Sequence, residues 1–578
     1  MSLKRFVLLP VMAFILFACT GNRVEEASST APSVTVVEPS VPAPTPANTP
    51  SSSQPLPTTT TITPIQNDNP SGDLALTQAN IQLYPVPQIY AGDQVTFQIH
   101  PFVPASVDVN AVTVSVYVDN EHVITDVLSH RNWAGQAEGL YAWAWDSTNA
   151  IGSHLVRVEV DPHDMIQVGD ENPANNVVEF SVDVGSSKNL PKAVKTAVWE
   201  ITETDCCTLY TLTGTAAHRD IYTLRETVET AVSQAANKLD EYPARKINIY
   251  FIERTIGQGG FAGSDMVITY NDRKYTGGNL HELIVHESVH IIDRQFAPQR
   301  IKFLAEGLAV WASGGHYKPE NLSERTAALI QLGEYIPLQM LVDDFYPVQH
   351  EIGYLEAAGF VTYLVDIYGY STFRELYSET GSDDAATEYE ALDLNLREYY
   401  GKSLAEMEAE WLAYLNGITV SETAVNDLAT TIRFYNTMRQ YQQQYDPTAH
   451  FLTAWLPPPR EVRETGNSAD FIRHPQSDAN ITLELMLASA EEALQATNFA
   501  RANVLLDSID RILATNSFVD PLATSYWEIV VKATGLGYEI QTLDFEGDTA
   551  VALVNTANKP TLNPLQFKLK PLGWVLTN

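Results

Sequence analysis

The chain has 578 residues, of which 35 are Lys or Arg and 71 are Asp or Glu, so its formal net charge is −36. This length predicts about three or four domains, and a hydrophobic content of 45% excludes a wholly disordered chain. The negative charge argues against nucleic acid and anionic membrane surfaces as partners. Three cysteines exclude a disulfide-stapled scaffold.

Residues 1–19 have the pattern of a secretory signal peptide. Two basic residues precede an apolar run over residues 6–17, which is too short for a membrane-spanning helix. The segment that ends at Ala18 and Cys19 resembles the lipobox of bacterial lipoproteins, and this resemblance implies a membrane-anchoring lipid on Cys19. Ordinary secretion with cleavage near Ala18 is the alternative. Both interpretations predict export, and the first predicts a lipoprotein of the cell envelope on the extracytoplasmic side.

Residues 20–78 differ sharply in composition from the rest of the chain. Pro, Ser and Thr dominate this stretch. It has too little apolar surface to offset the entropy lost on ordering. We therefore predict a disordered, extended linker that holds the folded part away from the membrane.

Residues 79–187 alternate between apolar and polar side chains, most clearly over 94–99, 112–118 and 154–160. Short runs with a period of two predict an antiparallel, Ig-like β-sandwich. Residues 169–182 resemble the closing hairpin of cell-adhesion-related (CARDB-like) modules, which implies a binding module or a spacer, and we favour the spacer. The acidic turn at Asp170 either ligates calcium or only caps the hairpin, and capping is the commoner role.

Residues 190–418 mix helix and strand patterns. Apolar residues recur at helical spacing from Ala216 to Leu239, and residues 246–252 and 265–270 read as strands. The Gly-rich loop at 257–263 leads into a strand and lacks a Lys-Ser/Thr pair, which argues against a phosphate-binding loop.

One short motif in this region carries the chemistry. His286, Glu287 and His290 fit the pattern H-E-x-x-H, in a helix that Asn279 can cap with Glu282 closing a capping box. Residues four apart lie on one helical face, so the two imidazoles can bind one tetrahedral zinc ion. Glu287 lies beside them, in position to take a proton from water rather than to ligate.

A second helical pattern supplies the third candidate ligand. Glu306 is the only carboxylate in the apolar run 303–311, which ends at Gly314 and Gly315. A carboxylate among apolar residues is costly unless it is paired or bound to a metal. The alternative is that Glu306 faces solvent at the helix edge. Two His and one Glu leave a fourth position open for water, which is typical of a hydrolytic rather than a structural zinc site.

The motif, followed by fifteen residues and then Glu306-Gly-Leu-Ala, resembles the gluzincin metallopeptidases, in particular the peptidase MA-like domains of bacterial surface proteins. The resemblance covers residues 190–418 and implies a zincin-like α+β fold. It also implies that His286, His290 and Glu306 hold one zinc ion and that Glu287 is the general base. Strand 265–270 would then be the sheet edge along which an extended substrate pairs.

Five further residues are weaker candidates. Tyr354 lies in a segment that resembles the helix carrying the oxyanion-stabilising tyrosine of related aminopeptidases, although the spacing is shorter and the Lys-Gly after the tyrosine is absent. A packed aromatic is the alternative for Tyr354. Asp293 either orients a ligand imidazole or lies on the helix surface. His316 could line the cleft, and the adjacent Cys206 and Cys207 are expected to be two buried thiols.

The C-terminal third is the least informative part of the chain. Residues 419–515 read as helical, notably over 481–494 and 499–513. Residues 516–578 read as a β-rich module, and helices followed by such a sheet resemble NTF2-like modules. We expect a structural or substrate-docking role there.

These features predict a multidomain protein that acts as an extracytoplasmic, lipid-anchored zinc metallopeptidase on peptide or protein substrates. The alternative is a non-catalytic adhesion or scaffold lipoprotein that retains the zincin fold. A zinc hydrolase acting on a non-peptide bond is a third possibility.

Overall fold

The computed structural model of the protein describes residues 72–316, 318–556 and 559–577. The predicted signal peptide, Cys19 and nearly all of the predicted linker lie outside these residues. No helix in the described ranges is both long enough and apolar enough to cross a membrane.

Residues 81–185 form the predicted sandwich, which packs two sheets around an apolar core. Its strands are β1 (Ile81–Tyr84), β2 (Ile89–Tyr90), β3 (Gln94–Ile99), β4 (Thr113–Val118), β5 (Glu121–Val127), β6 (His130–Arg131), β7 (Ala137–Asp146), β8 (Gly152–Val160) and β9 (Val177–Gly185). The sheets run β1-β3-β7-β6 and β2-β9-β8-β4-β5, and only the short β2–β9 pairing is parallel. Alternation places Val116 and its register partner Val158 in the core. The acidic turn is bonded internally: Asp170 accepts a hydrogen bond from Asn176 at 2.6 Å.

The central domain begins with a mixed five-stranded sheet of order β10-β11-β12-β14-β13. Its first elements are α1 (Lys192–Thr196), β10 (Trp199–Glu203), β11 (Cys207–Leu212), α2 (Ala216–Arg219), α3 (Ile221–Leu239), β12 (Ile247–Ile252), β13 (Gly260–Ala262), β14 (Met266–Thr269), α4 (Leu280–Ile292) and α5 (Lys302–Ser313). The predicted edge strand at 265–270 was wrong, because β14 lies second from the edge. The Gly-rich loop itself forms the edge strand β13, which turns back tightly to pair antiparallel with β14.

The cysteine prediction was also wrong. Cys206 and Cys207 are joined by a disulfide rather than being two separate thiols. They lie where the chain turns from β10 into β11, and this turn brings the two neighbouring sulfurs together.

Six more helices complete the central domain around the layer that carries α4 and α5. They are α6 (Leu322–Leu332), α7 (Leu338–Leu341), α8 (His350–Tyr368), α9 (Tyr370–Glu379), α10 (Glu388–Tyr400) and α11 (Leu404–Asn416). Helix α8 packs closely on α5 at Gly307, where an added Cβ would lie 2.5 Å from the carbonyl oxygen of Ala357. A glycine at this position therefore lets the two helix backbones approach each other.

The C-terminal region combines helices with a four-stranded antiparallel sheet, and the helix Pro521–Gly535 lies inside the stretch 516–578 that was predicted to be β-rich. The elements are α12 (Glu422–Tyr445), α13 (Pro459–Thr465), α14 (Ala469–Ile472), α15 (Asp478–Gln495), α16 (Phe499–Thr515), α17 (Pro521–Gly535), β15 (Tyr538–Glu546), β16 (Thr549–Thr556), β17 (Lys559–Lys570) and β18 (Gly573–Leu576). The strands pair in chain order. Buried residues of the helices and of the sheet form one shared apolar core.

Candidate metal centre

The fold brings His286, His290 and Glu306 together. The histidines lie one turn apart on α4, and Glu306 projects from α5, which packs against α4. The His286 Nε2 and His290 Nε2 atoms are 3.1 Å apart, and they lie 3.1 and 3.2 Å from Glu306 Oε2. Glu306 is only 6% exposed, so it does not face solvent at the helix edge.

This triangle of donor atoms fits a zinc ion. Tetrahedral zinc with bonds of about 2.0–2.1 Å places its ligand atoms about 3.3 Å apart. The three observed separations of 3.1–3.2 Å come close to that spacing. Among the described residues, these are the only His, Cys, Asp or Glu side chains that cluster tightly enough to hold a metal. A fourth position stays open, as a hydrolytic site requires.

The electrostatics of the three side chains suit metal binding. Burial lowers the pKa of His286 to about 4, so its imidazole is neutral and can ligate. Burial also acts to lower the pKa of His290, but the Glu306 carboxylate outweighs it and raises that pKa. Burial alone would raise the pKa of Glu306, yet the two imidazoles hold it well below its usual value. Glu306 therefore stays an anion at the centre of the site.

Glu287 is held next to the histidines by the edge strand. It is 5% exposed and accepts a hydrogen bond from the backbone N–H of Ala262 in β13. Arg294 donates to the carbonyl oxygens of Ala262 and Gly263, at 3.0 and 2.6 Å, and so ties β13 to the end of α4. Burial raises the pKa of Glu287 to about 7, within the range of an effective general base.

The start of helix α4 differs from the prediction in one detail. Asn279 occupies the N-cap position, but its side chain forms no capping hydrogen bond within the described structure. The helix begins where predicted because the backbone of Asn279 is extended, and its carbonyl accepts from Leu283 N at 3.1 Å.

A tyrosine that the sequence did not indicate contacts the metal-site carboxylate. The Tyr346 hydroxyl donates a hydrogen bond of 2.8 Å to Glu306 Oε1, the oxygen that does not face the histidines. Burial, reinforced by Glu306, raises the pKa of Tyr346, so the phenol stays a donor. Second partners of this kind fix the orientation of a metal-ligating side chain. Tyr346 lies in the loop before α8, forty residues from Glu306, where no periodic pattern marks it.

Tyr354 is both packed and close to the site. Its ring on α8 lies 6.1 Å from the His286 ring and stacks on His316 at 4.6 Å. Burial raises its pKa well above the usual value, so its hydroxyl remains protonated. The imidazole of His316 lies 2.8 Å from Glu351 and lines the cleft, as the sequence suggested.

Asp293 does neither of the things expected of it. It is fully buried rather than on the helix surface. It accepts a hydrogen bond from Tyr377 at 2.6 Å and forms an ion pair with Arg300 at 2.7 Å, instead of bonding to a ligand imidazole. Arg300 in turn donates to the carbonyl oxygen of His290. Asp293 therefore supports the last turn of α4 through Arg300.

The candidate centre opens into a cleft of about 640 Å³. Its walls come from the central domain, from Tyr435 of α12 and the loop at 451–456 in the C-terminal region, and from Trp133 of the sandwich. His350 also lines the cleft, and burial holds its pKa well below the usual value. No sequence pattern indicated these contributions, because each comes from a loop or helix that is distant in the chain from the H-E-x-x-H motif.

No protein-family model and no curated protein sequence matches the chain. Among solved structures, the chain is similar to a CARDB domain from Pyrococcus furiosus. The solution NMR structure of that domain is 19% identical, with 20% of this chain and 96% of that chain covered and a TM-score of 0.16. A crystal structure of the domain in complex with di-metal ions has the same identity and TM-score, with 20% of this chain and 97% of that chain covered. By its own elements the described part of the chain is multidomain, with β-sheet domains in its N-terminal part and a helical C-terminal region.

Proposed function

We propose that the protein is a zinc metallopeptidase that hydrolyses peptide bonds with Glu287 as general base. The observation that carries the proposal is the triangle of His286, His290 and Glu306 donor atoms with sides of 3.1–3.2 Å, beside a buried fourth side chain, Glu287. The resemblance of the motif and its spacing to gluzincins supports the same assignment.

Each residue has a defined task in this proposal. A bound zinc ion supplies Lewis-acid polarisation of the scissile carbonyl and of the attacking water. Glu287 accepts the proton from that water and delivers it to the nitrogen of the leaving amine. Tyr354, a protonated donor whose ring lies 6.1 Å from the His286 ring, stabilises the negative charge that develops on the carbonyl oxygen. Tyr346 keeps Glu306 in its ligating orientation.

The test compares the full chain with Glu287→Gln, which keeps an acceptor for the Ala262 N–H and removes the base. Zinc content is measured by mass spectrometry, and cleavage is profiled with a peptide library and with ester substrates. We expect about one zinc ion per chain in both proteins and loss of peptide cleavage in Glu287→Gln by a factor of about 10² or more. Glu226→Gln, the same change on the exposed face of α3, is the control.

Three outcomes would contradict the proposal in different ways. Unchanged cleavage in Glu287→Gln would refute the mechanism. A wild-type protein that binds zinc yet cleaves neither peptides nor esters would favour the adhesion or scaffold lipoprotein. Cleavage of esters alone would favour a hydrolase for a non-peptide bond.

The same proposal places the enzyme outside the cytosol, anchored by a lipid on Cys19. The lipobox-like segment supports this location, and so does the Cys206–Cys207 disulfide, because cytosolic thiols are normally kept reduced. Metabolic labelling with a palmitate analogue should mark the wild-type protein and not Cys19→Ser. Label that persists in Cys19→Ser would refute the anchor.

A further inference from the structure

The sandwich reaches the candidate metal centre through the turn between β6 and β7. The Asn132 side chain accepts hydrogen bonds from the backbone N–H groups of Ala134 and Gln136, at 3.0 and 3.1 Å. These hydrogen bonds order the turn, and its side chain Trp133 is 59% exposed. The Trp133 ring meets Tyr346 edge to face, with centroids 4.7 Å apart. Since Tyr346 bonds to Glu306, an exposed indole lies two contacts from a candidate metal ligand.

Two cavities meet at Trp133. The first is the cleft of about 640 Å³ over the candidate metal centre, and the second is a groove of about 550 Å³ between the sandwich and the loops at 343–347 and 452–455. Trp133 and Tyr346 line both cavities, and so do Lys302, Ala454 and Trp455. A ligand that extends from the metal centre past Trp133 therefore enters the groove directly. Each cavity alone has the volume of a small-molecule site. A single ligand that fills both must therefore be elongated, as an extended polypeptide is.

Of the charged side chains in the groove walls, Lys302 and Glu138 are engaged with the protein, whereas Arg131, Asp343 and Asp344 are exposed. Lys302 pairs with Glu388 at 2.9 Å. Glu138, which is buried, accepts a hydrogen bond from Gln98 at 2.7 Å and lies 2.6 Å from His130. Next to Trp133 the walls are aromatic, because Tyr346 and Trp455 line both cavities. Aromatic walls favour a polypeptide that is held there by apolar contacts.

The groove is formed by a sandwich that is fixed in place. Arg473 and Asp93 form a buried ion pair, with nitrogen–oxygen distances of 2.6 and 3.0 Å, between the C-terminal region and the sandwich. Gln98 donates to the carbonyl oxygen of Thr453 at 2.7 Å. A preformed groove spares a ligand the cost of ordering its walls. The sequence analysis favoured a spacer role for the sandwich. A module that only holds the rest of the protein away from the membrane does not need these contacts.

We infer that the sandwich is part of the substrate-binding site and that the substrate is an extended polypeptide cleaved at an interior bond. The chain lies across the metal centre, continues past Trp133 and occupies the groove, with an apolar side chain against the indole. The position of the scissile bond rests on the proposed function, whereas binding of the polypeptide does not.

The test measures binding and hydrolysis separately, in the full chain. Binding uses fluorescein-labelled β-casein, an unfolded polypeptide, with Glu287→Gln as the parent protein and fluorescence anisotropy as the readout. We expect Trp133→Ala to weaken binding about five- to thirtyfold, as loss of an aromatic anchor does. Trp133→Phe should recover most of the affinity. Tyr222→Ala, which removes an aromatic that is 78% exposed on α3, is the matched control and should bind as the parent does.

Hydrolysis is measured in the wild-type background with peptides of about four and about twelve residues, because only the longer ones, about 40 Å when extended, can reach beyond the cleft. Trp133→Ala should lower kcat/KM for the longer peptides by a factor similar to the loss in binding, and by a larger factor than for the shorter ones. Added salt should not weaken the affinity for β-casein, since the contact with the indole is not ionic.

The outcomes separate this inference from the proposed function. Equal β-casein affinity in Trp133→Ala and its parent, or no binding by the parent, overturns the inference even if peptide hydrolysis is established. Binding that depends on Trp133 in a protein without hydrolytic activity upholds the inference and overturns the proposed function. A steep loss of β-casein affinity on addition of salt would show that binding is ionic, and this result overturns recognition by the indole. Unchanged circular dichroism of both Trp133 variants excludes misfolding as the cause.

Discussion

The hydrogen bond from Tyr346 to Glu306 offers a direct test of how the metal centre is supported. Tyr346→Phe removes one hydroxyl and leaves the ring in its contact with Trp133. Glu306 would keep its contacts with both histidines, but its Oε1 atom would lose the hydrogen bond from the Tyr346 hydroxyl. We expect zinc to bind more weakly, because the carboxylate becomes free to rotate away from its ligating orientation.

The magnitude follows from the geometry. The bond is 2.8 Å long, its acceptor is an ionised carboxylate and Glu306 is 6% exposed, so water replaces the phenol poorly. Hydrogen bonds to charged groups contribute about 1.5–3 kcal/mol. At 1.4 kcal/mol for each factor of ten, the zinc dissociation constant should rise by about 10- to 100-fold.

Competition with a fluorescent zinc chelator measures this constant, and Tyr354→Phe provides the comparison. Because Tyr354 is proposed to act on the transition state alone, its variant should lower kcat and leave zinc affinity within about threefold. If Tyr346→Phe binds zinc as tightly as the wild-type protein, the hydrogen bond does not hold Glu306 and this reasoning is wrong.

Two further predictions concern stability. Asp470 is 1% exposed, and burial raises its pKa from 3.8 to about 7, so its contribution to stability is present below pH 3.8 and is lost as the pH rises through 7. Urea unfolding should therefore show Asp470→Asn to be more stable than the wild-type protein above pH 7, by about 4 kcal/mol at most, with no gain at pH 3.8. Gly307→Ala should lower the free energy of unfolding by about 1–3 kcal/mol, because its Cβ meets a backbone carbonyl of α8. Gly535→Ala on α17, with open space around it, should instead raise it by up to about 1 kcal/mol.

The ligand triad could be predicted because local rules determine it. Spacing of four residues puts His286 and His290 on one helical face wherever the helix packs. Glu306 stands out as a lone carboxylate in an apolar helix, which predicts a buried and compensated position without knowledge of the fold. The strands and helices with clear periodicity, such as β3 and α16, were predicted for the same reason.

The supporting residues could not be predicted, because long-range packing selects them. Tyr346 lies in a loop, and Trp133 comes from another module more than two hundred residues earlier in the chain. The edge strand β13 has only three residues, too few to show a period, so the longer run at 265–270 was taken for the edge. Asp293 looks like a surface acid until the fold brings Tyr377 and Arg300 to it from other segments.

The energetic cost of burying Glu287 bears on whether the protein is a hydrolase or a non-catalytic scaffold. It is 5% exposed and forms no salt bridge in the part of the chain that is described, so the metal-free protein carries a poorly compensated carboxyl group. A glutamine would keep the hydrogen bond from Ala262 and avoid that cost. A protein that only needs the fold gains nothing from the carboxylate, whereas a hydrolase needs it as a base.

We therefore expect Glu287→Gln to be more stable than the wild-type protein once zinc is removed by a chelator, by about 1–3 kcal/mol in urea unfolding. Glu226→Gln, on the exposed face of α3, should leave the free energy of unfolding within about 0.5 kcal/mol. A metal-free Glu287→Gln protein that is less stable than the wild type would show that the carboxylate serves the fold. A role in stability would then explain the presence of Glu287 without catalysis, and this result would favour the scaffold interpretation over the hydrolase.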